Sequence, residues 1–338
     1  MRVSIADVAK RANVSISTVS RVLNRRELVN EKTRERVEQA IRDLDYRPNV
    51  FARGLMLQRS EIVALVLPDV HGEFYSEIIR GANIQAREQG YHLVISSSEG
   101  PTDMGSLLED LIGRSLVDGL AVMVSEQTKG LHRLLAKFRV PIVVLDSVVE
   151  DGVHDSVVID QRAGALALCR HLVQARGAKR IIFVGGPTTN TDTTARLQAC
   201  AEVLGEAGLR LSPDDTYHLD FQYDSAFVLA GERVKEWAGE GHFVFAANDE
   251  MACGVIDAAT AAGLHVPQDL AVVGFDDTRI AAMTRPPLTT VRVPMSQMGS
   301  TAIELLCQRL ADPQRSATCV SLRPELIVRE SCGEGQRD

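Results

Sequence analysis

No cysteine of this 338-residue chain stands in a Cys-x-x-Cys pair; the six, Cys169, Cys200, Cys253, Cys307, Cys319 and Cys332, are scattered. That spacing argues against a zinc site or a disulfide framework and for a reducing, cytoplasmic setting. No apolar run approaches the roughly 18–20 residues that a membrane span needs. The opening stretch Met1-Arg2-Val3-Ser4-Ile5-Ala6-Asp7 has no continuous apolar core, so a secretory leader is not expected. Common enzyme signatures are also missing. There is no Gly-x-Ser-x-Gly elbow, no Walker A loop and no Gly-x-Gly-x-x-Gly opening a helix, and Gly185-Gly186-Pro187 is too short to cradle a phosphate. No catalytic residue, metal ligand or cofactor is assigned.

What is present is an ordinary globular composition, 45% hydrophobic and 24% charged. The length suits about two or three domains. The net charge of −8 hides an asymmetry: residues 1–60 carry a net +6 and the remainder −14. A small basic head on an acidic body points to a polyanion as partner of the head alone.

Within that head, Ser4 stands three residues ahead of Asp7, the pattern of a capped helix start. Ile5, Val8, Ala9 and Ala12 follow at helical spacing. Asn13 suits the left-handed turn that ends the helix. Ser15 is placed to cap a second helix with Val19, Val22 and Leu23 inward, and Asn30 a third with Val37, Ile41 and Leu44 on one face. Two short helices joined tightly and braced by a third make a helix-turn-helix, whose second helix enters the DNA major groove. Ile16, Ser17 and Arg21 would face base edges. Arg21 is suited to guanine and Ile16 to a thymine methyl, while Thr18, Asn24, Arg25 and Arg26 suit the phosphate backbone.

The stretch Ile5-Ala6-Asp7-Val8-Ala9-Lys10-Arg11-Ala12-Asn13-Val14-Ser15, followed by Ser17-Thr18-Val19-Ser20-Arg21-Val22-Leu23-Asn24, resembles the N-terminal signature of LacI/GalR repressors. The likeness continues through Val29-Asn30-Glu31-Lys32-Thr33-Arg34 and Leu44-Asp45-Tyr46-Arg47-Pro48-Asn49, and spans essentially the whole chain. It implies a headpiece at 1–47, with Ile16, Ser17, Thr18, Arg21, Asn24, Arg26 and Asn30 on DNA, and a hinge at 48–60. Such a hinge orders on the operator, where Leu55 matches the leucine that wedges into the minor groove. Gly54 departs from the Ala or Ser often found there and suggests a looser hinge. The resemblance further implies a homodimer on a pseudo-palindromic duplex. The polar tail lacks the leucine heptads that tetrameric members append.

From Glu61 onward, short apolar runs alternate with amphipathic stretches. The runs are Ile62–Leu67, Leu93–Ile95, Leu120–Val124, Ile142–Leu145, Ile181–Val184, Phe243–Ala246 and Leu270–Phe275; the stretches include Ser76–Glu88, Arg162–Arg176, Asp224–Trp237 and Glu250–Ala262. Alternation of this kind predicts parallel sheets covered by helices, in two similar lobes; the resemblance implies that these are Rossmann-like lobes of periplasmic-binding-protein type I. The expected first lobe is about 61–160 plus 292–322 and the second about 161–291 plus 323–338.

Ligands of such sheets sit beyond the carboxyl ends of strands. His71, Phe74, Tyr75, Asp146, Arg196, Phe221, Asn248 and Asp276 follow strands directly. Carboxylates, an arginine and an amide beside aromatic rings suit a polyhydroxylated molecule. The resemblance places the same set at the effector positions of sugar-responsive members. Purine-responsive members carry a base-reading arginine where this chain has Asn190-Thr191-Asp192, so a sugar effector is favoured over a purine corepressor. Asp146, Asp249 and Asp277 have a second reading as helix caps. A transport-type sugar-binding protein, the remaining alternative, would have no use for the basic head.

Overall fold

A computed structural model describes residues 3–24, 28–46, 60–97, 101–113, 116–125, 131–149 and 151–333. The chain divides into two compact units, 1–60 and 61–338.

In the first unit, α1 (Ile5–Ala12), α2 (Ile16–Asn24) and α3 (Glu31–Asp43) pack around Val8, Ala9, Ala12, Val19, Val22, Val37 and Ala40. Leu23, Ile41 and Leu44 lie partly buried against this core. Each helix starts where a side chain satisfies a backbone amide that the helix leaves unpaired. Ser4 and Asp7 form a reciprocal capping box at α1. Ser15 Oγ accepts from the Thr18 amide at α2, and Asn30 Oδ1 from the Thr33 amide at α3. Such caps contribute about 1 kcal/mol each. Asn13 ends α1 in the left-handed conformation, φ 50°.

The second unit holds two parallel sheets. The first has six strands in the order β11-β5-β4-β3-β1-β2, where β1 is Ile62–Leu67, β2 His92–Ser97, β3 Gly119–Met123, β4 Ile142–Leu145, β5 Asp155–Ile159 and β11 Cys319–Leu322. The second has the order β7-β6-β8-β9, where β6 is Arg180–Gly185, β7 Thr216–His218, β8 His242–Ala246 and β9 Ala271–Val273. A short antiparallel pair, β10 (Thr290–Arg292) and β12 (Glu325–Ile327), accompanies the chain's passage between the two sheets. Val66, Leu67, Val122, Val144 and Leu145 are fully buried, as strands covered on both faces should be.

Two elements differ from the sequence expectation. The Arg162–Arg176 stretch is α-helical only over Gln161–Arg170 and continues as a π-helical turn over His171–Ala175. The Leu270–Phe275 run is a strand only over Ala271–Val273. Beyond it the backbone bonds to the β10 region instead, with the Gly274 amide donating to Thr289 O and the Asp276 amide to Val291 O.

After β10, the long helix Met295–Ala311 returns to the first sheet and lies against Gly72–Glu88. Asp155, fully buried, accepts from Arg309, Arg315 and the Thr318 amide, which fixes the approach of β11 beside β5. The two long helices touch backbone to backbone. A Cβ at Gly81 would stand 1.8 Å from Ser296 O, and one at Gly299 2.0 Å from Ile78 O. Neither obstacle is a side chain that can swing away, so the helices themselves must part.

Gly81→Ala is therefore expected to destabilise the body by about 3 kcal/mol, the upper end of overpacking costs, despite alanine's better helix propensity. Urea unfolding of the purified chain measures this, and an unchanged midpoint would contradict the packing described.

Candidate effector cleft and DNA-reading helix

Seven of the eight residues singled out at strand ends line one cavity of about 100 Å³: Phe74, Tyr75, Asp146, Arg196, Phe221, Asn248 and Asp276. They arrive from separate elements. Phe74 and Tyr75 open the helix after β1, Asp146 follows β4, Asn248 follows β8, and Asp276 follows the β9 region. Arg196 projects from the helix Thr191–Glu206.

Three of these hold backbone conformations that L-residues rarely adopt: Asp146 at φ 66°, Phe221 at φ 67° and Asp276 at φ 110°. Residues held so cost free energy and persist only where the surroundings over-determine them. Here the surroundings are identifiable. The Asp146 amide donates to Val157 O, Asp276 exchanges backbone bonds with Val291 and Val293, and Asn248 Nδ2 donates to Phe221 O at 2.9 Å. The Phe221 ring lies on Gly186, where a Cβ would come within 2.1 Å of Cζ.

Arg196, 3% exposed, is the cation of the cavity wall. Its guanidinium donates to Gln161 Oε1 from Nε at 3.2 Å and Nη2 at 2.8 Å, and from Nη1 to Ala247 O. It lies 3.9 Å over the Phe275 ring. Its Nη2 stands 3.5 Å from Asp192 Oδ2 and 3.9 Å from Asp276 Oδ1. Burial pushes the Asp146, Asp192 and Asp276 carboxyls above the usual range, and Arg196 only partly offsets this. For Asp146, the neighbouring Asp192 charge adds to the rise. Tyr75 is likewise pushed up, first by burial and then by the surrounding aspartates. Oδ1 of Asp276 is buried and accepts no hydrogen bond among the described residues.

His71 is not in this cavity. Its side chain is 88% exposed and bonds to Asp69 Oδ1 at 2.7 Å. It borders an adjoining chamber of about 140 Å³ that shares Phe74, Tyr75, Phe221, Asn248 and Asp276. Met123, Ser125, Asn190 and Asp192 line the cavity without having been singled out. Ser125 lies just past β3, so the strand-end rule could have found it. Asp192 stood in the sequence only as part of a loop unlike that of purine-responsive proteins.

The capping alternatives resolve differently. Asn248, not Asp249, caps the helix Asp249–Ala261 through the Met251 amide. Asp249 is buried beneath it and accepts from the Thr278 amide, Thr278 Oγ1 and Thr290 Oγ1. Asp277 pairs with Arg292 and Arg329, and no helix starts at Asp146. A larger cavity, about 360 Å³, opens near β10 and shares only Asp276 with the eight. There Arg292 is taken up by Asp277 and Glu325.

On the head, α2 carries Ile16 at 49% exposure, an unusual position for an isoleucine, with Ser17 and Arg21 also exposed. The Ser17 and Thr18 hydroxyls each share a 2.8 Å bond with Ser15 Oγ. Asn30 is an exposed helix cap. Arg26, Leu55 and the hinge, apart from Ser60, lie outside the described residues, as does the Asn24 side chain.

A helix-turn-helix followed by a two-sheet body with a buried, polar ligand-sized cavity defines an effector-controlled DNA-binding transcriptional regulator. The family model for bacterial regulatory proteins of the lacI family matches residues 4–49, and that for a periplasmic binding protein-like domain matches residues 169–332. The ribose operon repressor of Escherichia coli (strain K12) is 33% identical, covering 97% of this chain and 99% of its own. A solved complex of the transcriptional regulator CelR with cellobiose is 30% identical, covering 98% and 100%, with a TM-score of 0.73. The lac repressor dimer bound to operator and the anti-inducer ONPF is 27% identical, covering 98% and 99%, with a TM-score of 0.87. The chain belongs to the LacI family of transcriptional regulators. It is a regulator and not an enzyme. No described helix is long and apolar enough to cross a membrane.

Asp249 gives a pH prediction. Burial raises its carboxyl to about 7. A carboxyl whose folded pKa exceeds its unfolded value binds more protons in the folded state. Its stabilising contribution is full below about pH 4 and is lost as pH rises toward 7. Across that window, Asp249→Asn should flatten the fall in urea stability, by up to about 1.4 kcal/mol per pH unit. Parallel curves for the two proteins would refute this assignment.

Proposed function

We propose that the chain is a homodimeric repressor whose affinity for a pseudo-palindromic operator is controlled by a sugar or sugar derivative in the cavity around Arg196. The observation that carries this reading is the convergence of Asp146, Arg196, Asn248 and Asp276 with Phe74, Tyr75 and Phe221 on one buried cavity. Carboxylates accept from hydroxyl groups, and aromatic rings cover the apolar face of a sugar ring. The CelR–cellobiose complex is a whole-chain relative holding a sugar. Asn190 and Asp192 on the wall, in place of a base-reading arginine, weigh against a purine.

Exposed Ile16, Ser17 and Arg21 form the base-reading edge, with Thr18, Asn24, Arg26 and Asn30 toward the phosphates and Leu55 as the minor-groove wedge. Among the described residues, the sides of the cleft are tied where Ser125 O accepts from the Thr191 amide and from Thr191 Oγ1, and where Glu73 Oε2 accepts from the Arg279 amide. A ligand that favours this arrangement over a more open one changes the spacing of the two hinges in the dimer, and with it DNA affinity.

Thermal unfolding in the presence of neutral sugars and purine bases tests the ligand class. A bound compound at a hundred times its dissociation constant stabilises by about 2.7 kcal/mol. A shift with a sugar that disappears in Arg196→Ala is expected; a shift with purines alone would overturn the reading. For the head, Arg21→Ala should cost about 1–3 kcal/mol on the specific duplex and far less on random DNA. Fluorescence anisotropy reads both, and equal losses would remove Arg21 from base recognition.

A further inference from the structure

The cavity is unbalanced in charge and in hydrogen-bonding sense. Among the described residues, Asp146, Asp192 and Asp276 place three carboxyl groups on its wall, against the single guanidinium of Arg196. That guanidinium is turned inward, with Nε, Nη1 and Nη2 already donating to Gln161 and Ala247. Asn248 is committed at both ends, donating to Phe221 O and accepting from the Met251 amide. Asp192 is occupied by Gln161 Nε2 at 2.8 Å. By contrast, Asp276, 8% exposed, lines the cavity, and its buried Oδ1 accepts no hydrogen bond among the described residues, with Arg196 Nη2 3.9 Å away. The adjoining chamber adds Asp69, Asp220, Asp249 and Glu250, with His71 as its one basic side chain among the described residues. What faces a ligand is therefore rich in carboxyl groups and poor in cationic partners.

We propose that the effector carries a protonated amine, presented to the Asp276 carboxylate, on a hydroxylated frame of monosaccharide size: an amino sugar. The inference rests on the sugar reading above and narrows it. An ammonium group offers three donors and no acceptor, the complement of this wall. Its charge offsets carboxylates that burial and mutual repulsion otherwise disfavour in ionised form. The anionic group of a sugar phosphate or a uronate brings acceptors and no donor to a wall whose one described guanidinium is already committed, so neither finds a partner there. The size also fits. The cavity's ~100 Å³ lies well below the roughly 300 Å³ at which drug-sized pockets begin.

Calorimetric titration of the full chain at pH 7 tests this. The probes are glucosamine, galactosamine and mannosamine, each beside its neutral parent hexose, with glucose 6-phosphate and glucuronate as anions. At least one amine is expected to bind ten-fold or more tightly than its parent, and Asp276→Asn to bring that ratio close to one. Should this variant not fold, Asp146→Asn serves the same comparison. The proposal is overturned if no amine exceeds its parent, or if an anion binds more tightly than its neutral counterpart. Parent hexoses that bind without preference for the amine would remove this inference and leave the sugar reading standing. Binding of a purine base alone, in the same titration, would remove both.

Discussion

An arginine buried among three aspartates must have its charge answered from several directions, and much of the body is arranged around that requirement. Breaking such a cluster from one side leaves an uncompensated buried charge, which typically costs about 3–5 kcal/mol. Arg196 meets the requirement through Gln161, the Ala247 carbonyl, Asp192 and the face of Phe275, contributed by four separate segments. Three of those segments also carry wall residues: Asp192 itself, Asn248 beside Ala247 and Asp276 beside Phe275. The arrangement that satisfies the guanidinium therefore fixes the positions of the ligand-facing groups before any ligand arrives. Preorganisation of this kind lowers the ordering cost of binding.

The same economy accounts for the strained backbone. Asp146, Phe221 and Asp276 each turn sharply at the end of a strand and so aim into the cavity, not along the sheet. A helix following directly, with the carboxylate as its cap, would have consumed the side chain locally. Asn248 shows the difference, because its side chain both caps a helix and braces Phe221. Strain at three cavity residues, with backbone bonds holding each in place, fits a binding site better than a merely structural core.

Much of this was legible in the sequence, for physical reasons. Continuous apolar runs such as Ile62–Leu67 and Ile142–Leu145 became strands with those same bounds, because strands buried on both faces leave no room for polar residues. The head's caps at Ser4, Ser15 and Asn30 were readable because capping is a local chemistry of residue type and spacing. Strand-end placement brought six residues into one cavity, and Arg196 joins them from the helix Thr191–Glu206 that follows β6. His71 failed the same rule because its Asp69 bond holds it outward, a detail of loop geometry that no spacing encodes. Gln161 escaped because its role arises from contact with Asp192 and Arg196 across elements, whereas Asp192 stands one helical turn before Arg196, a spacing that the sequence did offer. The three-residue strands β10 and β12 offered too little pattern to recognise.

On the proposed function, occupancy of the Arg196 cavity and operator binding by the head are thermodynamically coupled. The direct measurement takes a pseudo-palindromic duplex selected by the protein from random sequence and a compound that stabilises the body. It determines the affinity for each in the absence and presence of the other. Linkage requires both affinities to change by one common factor, expected at about 5–150-fold. The factor should fall to one in Arg196→Ala. Independent binding of compound and duplex to the intact chain would contradict the account.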